Sequence, residues 1–101
     1  MKVFFIVKPV NDYTLKQLYN SIEITFDKKK DSVHILKTSK KEHAIDLTQK
    51  AIEEMADVVV ACGGDGTVNE VARGLVKTEI PIAFVPVGSG NGIARHFKIP
   101  S

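Results

Sequence analysis

The chain has 101 residues, enough for one folded domain with a real core and too few for two lobes. With 44% hydrophobic and 26% charged residues it is an ordinary folded protein, and a net charge of +2 is too small to argue for nucleic-acid binding by bulk electrostatics. The single cysteine, Cys62, excludes an internal disulfide and fits a reducing cytoplasm.

The first apolar run, Val3–Val7, is too short for a signal peptide or a membrane span and predicts a buried strand. Lys8, Pro9, Val10 and Asn11 follow it. Leu15, Leu18, Tyr19, Ile22 and Phe26 then mark the apolar stripe of a helix. Lys28 to Lys30, between Asp27 and Asp31, reads as a solvated turn, the alternative being a contact with membrane or nucleic acid. A second strand is predicted at Val33–Leu36. Thr38 and Ser39 come after it, with His43 opening a helix striped by Ala44, Leu47, Thr48, Ala51 and Met55. A third strand at Val58–Ala61 runs into Gly63-Gly64-Asp65-Gly66-Thr67. The helix beyond has Val68, Val71, Ala72, Leu75 and Val76 on one side, and Glu70, Arg73 and Lys77 on the other. A fourth strand at Ile82–Val85 leads to Pro86-Val87-Gly88-Ser89-Gly90-Asn91-Gly92 and a helix opening near Ser89.

Continuous apolar runs alternating with amphipathic helices predict an α/β fold: a three-layer open parallel sheet with helices on both faces. The chain stops where the last helix would be only a few turns old. The expectation is therefore one domain over residues 1–101, with a continuation beyond Ser101.

Ligands of such sheets bind beyond the carboxyl ends of the strands, where all four post-strand segments converge. Gly63 to Thr67 is the most informative of them. Its glycines expose backbone N–H groups where a helix begins, an arrangement that cradles anions. Thr67 adds a hydroxyl donor. The carboxylate of Asp65 repels phosphate unless a cation intervenes, which points to Mg²⁺ held directly or through water. The alternative is a structural turn in which Asp65 or Thr67 caps the helix. A second glycine cluster, Gly88 to Gly92, at the same edge favours phosphate binding. Neither cluster has the Lys of a P-loop or the third glycine of a dinucleotide fingerprint. His34 reads as a satisfied sheet residue, His96 as surface, and Cys62 as a buried inert thiol. His43 is either a ligand contact or a local hydrogen-bonder. Arg73 either faces the phosphates or pairs with Glu70.

Gly63-Gly64-Asp65-Gly66-Thr67-Val68-Asn69-Glu70 resembles the GGDGTxNE signature of the diacylglycerol kinase catalytic superfamily, which includes diacylglycerol, sphingosine and ceramide kinases. Pro86 to Arg95 resembles its P-x-G-[ST]-x-N-[DGA]-x-A-R segment, and Thr38 with His43-Ala44 its T-x-x-x-x-H-A segment. The GGDGT core is shared with NAD kinases, and the implied fold is the N-terminal domain common to both. The resemblance implies an ATP-dependent lipid kinase using Mg²⁺, with ATP held by Gly63, Gly64, Asp65, Gly66, Thr67, Thr38 and Asn91. Glu70, Gly88 and Ser89 lie nearby. Where the family has N-P-x-[SG]-G, this chain has Lys8-Pro9-Val10-Asn11-Asp12, and Lys8 is the candidate substitute contact. The general base and the acyl-chain pocket belong to a second domain absent here, so this chain alone is expected to be inactive. The implied partners are ATP and a lipid substrate, with no nucleic acid. Localisation is cytoplasmic, with transient contact at the membrane surface, and a homo-oligomer is open. Competing readings are an NAD kinase-like enzyme and a non-enzymatic nucleotide-binding module.

Overall fold

A computed structural model describes residues 1–9, 11–27, 29–40, 42–88 and 92–93, with the backbone alone given for 87–88 and 92–93. The chain runs β1 (Lys2–Val7), α1 (Asp12–Thr25), β2 (Ser32–Lys37), α2 (His43–Glu53), β3 (Val58–Gly63), α3 (Asp65–Leu75), β4 (Ile82–Gly88) and β5 (Gly92–Ile93). The strands lie in the order β2-β1-β3-β4-β5. The first four are parallel, with Val3 opposite both Val33 and Val58, and β5 returns antiparallel to β4.

The alternation of side chains along a strand divides the core into two layers. Val3, Phe5 and Val7 join Val58, Val60, Cys62, Ala83 and Val85 on one face, covered by Leu18 and Ile22 of α1. Phe4, Ile6, Val59 and Ala61 point the other way, against Ala44 and Ala51 of α2 and Val71 and Leu75 of α3. β1 and β3 are thus buried on both sides, which is why they read as unbroken apolar runs. Each fully buried Val or Phe contributes about 1.5–3 kcal/mol to holding the layers together. The expected three-layer α/β sheet is the observed one.

The helix stripes are narrower than the sequence implies. Tyr19 is 41% exposed, Met55 79% and Val76 76%, and Ala72 also faces outward. One helix face rests on the sheet, so only positions such as Val71 and Leu75 reach it, while Ala72 and Val76 lie one residue further round. Met55 is not helical at all. It sits at φ 62 just past the end of α2, its N–H bonding to Ile52 O at 3.0 Å and that of Ala56 to Ala51 O at 3.0 Å. This pair is a Schellman termination, normally made by glycine.

β2 is a half-buried edge strand, and Phe84 on β4 is 39% exposed, so these two runs are not covered as fully as β1 and β3. Gly92–Ile93 form β5, paired with β4 through Gly88 and Gly92, and the rest of the segment expected to hold a helix opening near Ser89 lies outside the described residues. Glycine is a poor helix former, and its bare backbone pairs without steric cost.

Candidate functional site at the sheet switch point

From β1 the chain first moves outward to β2, then crosses back past β1 to β3. Adjacent strands β1 and β3 therefore send their continuations in opposite directions, leaving a crevice at their carboxyl ends. A cavity of about 310 Å³ occupies this position, lined by Lys8, Pro9, Thr38, Ser39, Lys40, Ala44, Gly66, Thr67 and Glu70.

Each wall is set locally. Lys8 N–H bonds to Cys62 O at 3.1 Å, locking the end of β1 beside β3. Thr38 donates its N–H to Val7 O at 2.9 Å and its hydroxyl to the same oxygen at 3.4 Å, bringing the end of β2 alongside. Asn11 caps α1, its Oδ1 accepting the Thr14 N–H at 2.8 Å, so the one asparagine after β1 is already committed.

The glycines divide by role. A Cβ on Gly63 would lie 2.7 Å from Thr67 Oγ1 and 3.2 Å from Lys8 Cδ. Gly63 is therefore what allows the first turn of α3 and the lysine stem to close on the strand end. A Cβ on Gly64 or Gly66 would meet nothing within 4 Å, and neither residue has the positive φ that demands glycine. Space, not backbone conformation, is what these two provide. Gly64 is the N-cap of α3 and no side chain caps this helix, so neither Asp65 nor Thr67 plays the structural part open to it. The N–H groups of Asp65, Gly66 and Thr67 consequently have no acceptor among the described residues.

Electrostatically the cavity suits an anion. Lys8 and Lys40 outnumber Glu70, and the N-terminal turns of α2 and α3 both open here, each adding roughly half a positive charge at its helix end. The cavity lined by Ile22, Glu23, Phe26, Asp31 and Val33 lies away from this edge, and one of its carboxylates, Asp31, is paired with the N-terminal ammonium at 3.3 Å.

The structure thus brings together Lys8, Thr38, Gly63, Gly66, Thr67 and Glu70. Asp65 stands exposed on the first turn of α3, outside the lining, and Gly88 ends β4. Ser89 and Asn91 lie outside the described residues, as do Arg95 and His96. Arg73 does not face the cavity and has no ion pair with Glu70 among the described residues; it lies on the outer side of α3 with Asn69, Ala72 and Val76. His34 stacks on Phe4 at 4.5 Å and bonds Ser32 Oγ at 2.9 Å, so it is a sheet residue. Burial pushes the Cys62 thiol up to about 12, making it inert. Pro9, Ser39, Lys40 and Ala44 were not among the predicted site residues. The signal available for them was position alone, since they follow or flank the same strand ends.

Fold and cavity define the chain as a doubly wound α/β protein with an anion-suited, glycine-rich site at its switch point. The diacylglycerol kinase catalytic domain family matches residues 2–101. Similar proteins include a probable lipid kinase YegS-like from Klebsiella pneumoniae, 33% identical over 83% of this chain and 29% of the relative. A diacylglycerol kinase of Mycobacterium tuberculosis is 38% identical over 54% of the chain and 18% of the relative. Sphingoid long-chain bases kinase 1 of Arabidopsis thaliana is 31% identical over 91% of the chain and 13% of the relative. The chain belongs to the diacylglycerol kinase catalytic domain family, among lipid kinases. It spans less than a third of the length of each of these relatives.

Proposed function

We propose that this chain is the ATP-binding part of a lipid kinase that transfers the γ-phosphoryl group to a lipid hydroxyl. The observation that carries the reading is the open space before Gly64 and Gly66. Two glycines free of backbone demands, beside N–H groups without acceptors, leave room for a ligand that takes those hydrogen bonds. Phosphate oxygens are such a ligand. Lys8, Thr38, Gly63, Gly64, Gly66 and Thr67 hold the ATP phosphates, joined by Gly88 at the end of β4 and by Ser89 and Asn91, which follow it in sequence.

Among the described residues no three His, Cys, Asp or Glu side chains form a metal cage. Mg²⁺ that arrives on the nucleotide needs only one or two carboxylates. Asp65 fills this part, directly or through water, with Glu70 nearby. When bound there, Mg²⁺ would supply neutralisation of the phosphate charge during phosphoryl transfer.

The acceptor class rests on the relatives, whose names place the phosphorylated group on diacylglycerol or a sphingoid base. In both, the nucleophile is a lipid alcohol. The proton acceptor and the lipid pocket belong to a region outside residues 1–101, so this chain alone does not turn over lipid. No helix among the described residues is long and apolar enough to cross a membrane.

Titration calorimetry of the chain with MgATP tests the reading, beside Lys8→Ala and Thr67→Val. Binding weakened by each substitution supports it. Wild-type affinity in both variants would remove the phosphates from this cavity.

A further inference from the structure

We propose that His43 is a positioning residue of the switch-point cavity: its imidazole, with Nδ1 bare, clasps the Ser39 main-chain N–H and so holds the Ser39–Lys40 turn as a cavity wall. The inference rests on the nucleotide-phosphate reading of that cavity and assigns the part played by residues outside its expected ligand set.

The Ser39 N–H lies 2.9 Å from His43 Nδ1. A main-chain amide can only donate, so Nδ1 must present its lone pair, and the ring is the neutral tautomer with its proton on Nε2. The Ser39 hydroxyl lies 3.2 Å from the same nitrogen. From its backbone, His43 also donates its N–H to Lys40 O at 3.2 Å. One residue therefore ties the turn twice, at Ser39 and at Lys40.

The turn needs that tie. Its first end is anchored to β1 through Thr38, but Ser39, Lys40 and Glu42 are exposed. Glu42 moreover sits at φ 66, ψ 0, a left-handed conformation that a residue bearing a Cβ avoids. Such a conformation persists only where neighbouring contacts over-determine it. The His43 clasp does so from one side, and the Ile45 N–H, donating to Glu42 O at 3.2 Å, does so from the other. What it fixes in place is functional chemistry: Ser39 and Lys40 both line the cavity, and Lys40 brings a cation suited to phosphate oxygens.

Three substitutions of His43 separate this role from direct ligand contact. His43→Asn keeps an acceptor oxygen where Nδ1 stands, His43→Gln keeps a polar group only where Nε2 stands, and His43→Ala keeps neither. The wild type and His43→Asn are expected to protect the Ser39 amide from hydrogen exchange, while His43→Gln and His43→Ala leave it fast. MgATP affinity, read by calorimetry, should stay near wild type in His43→Asn and fall about fivefold in the other two. Full affinity in His43→Gln with a loss in His43→Asn would show the ring touching ligand through Nε2, and overturns the proposal. Unchanged affinity in all three overturns it too, as does an imidazole ¹⁵N spectrum showing a protonated Nδ1 and a bare Nε2. Lys8→Ala serves as the control. If the wild type binds no MgATP, or Lys8→Ala binds as well as wild type, the nucleotide reading fails and the positioning role with it. The exchange data decide the clasp independently.

Discussion

Gly63 and Thr67 are mutually dependent: a Cβ on the first would stand 2.7 Å from the hydroxyl oxygen of the second. Strand end and helix start are therefore in contact through the absence of one methyl group, with the Lys8 stem on the same spot at 3.2 Å. The loop between them is not a spacer; it is the floor of the cavity.

This gives opposite expectations for neighbouring glycines. Gly66→Ala meets no atom within 4 Å and improves the first turn of α3, so thermal stability should hold or rise, by up to about 1 kcal/mol. Its methyl group nevertheless enters the space assigned to ligand, and MgATP affinity should fall at least tenfold, a difference of about 1.4 kcal/mol. Gly63→Ala should lose both stability and affinity. Thermal melts paired with calorimetry check the contrast, and equal behaviour of the two variants would sink it.

Gly74 plays the corresponding part between the helices. Its added Cβ would lie 2.7 Å from Thr48 Cγ2, inside the α2–α3 contact where Thr48 is fully buried. Gly74→Ala should destabilise by about 1–3 kcal/mol through overpacking. Adding Thr48→Ala removes the opposing methyl group, so the double variant should recover part of that loss relative to the sum of the singles. Denaturant midpoints on the four proteins of the cycle measure the coupling.

Met55 should be improvable. It holds φ 62 at the termination of α2 with its side chain 79% exposed, so little packing is lost on removing it. Met55→Gly relieves the left-handed strain and should stabilise by about 1 kcal/mol, with ligand binding unchanged because the position lies at the other end of α2 from the cavity. A lower melting temperature would contradict the termination geometry.

Cys62 carries an alkaline signature. Burial raises its thiol from 9.0 to about 12, so above 9.0 the unfolded chain loses a proton that the folded chain keeps. The folded state then binds more protons, and stability falls as pH rises from 9.0 toward 12. Cys62→Ala should show a shallower decline across that window in denaturant titrations. In the native wild type at pH 8, alkylation should proceed only as fast as the chain unfolds. Rapid labelling would mean an accessible thiolate.

Several features were legible in the residues themselves. Val3–Val7 and Val58–Ala61 announced double-sided strands because both faces of those positions are apolar. The glycine cluster after β3 announced a site because glycine without a periodic partner is informative wherever it falls. Asn11 was legible only in hindsight: a residue followed by Asp12 and a helix can cap or contact ligand, and the Thr14 N–H settles which. Local pattern reports which way a backbone turns and which face is apolar.

What the pattern could not give was distance between segments far apart in the chain. The order β2-β1-β3 places Lys40 beside Thr67, and Lys8 against Gly63. The packing of one face of α3 on the sheet decides that Val71 is buried and Val76 is not, and the same packing turns Arg73 away from the cavity. The sequence by itself determined the layers, the parallel sheet and the glycine-rich edge, because these follow from short-range periodicity and backbone stereochemistry. Only the tertiary structure decided which side chains share the crevice, because that depends on strand order and helix placement, which no local spacing encodes.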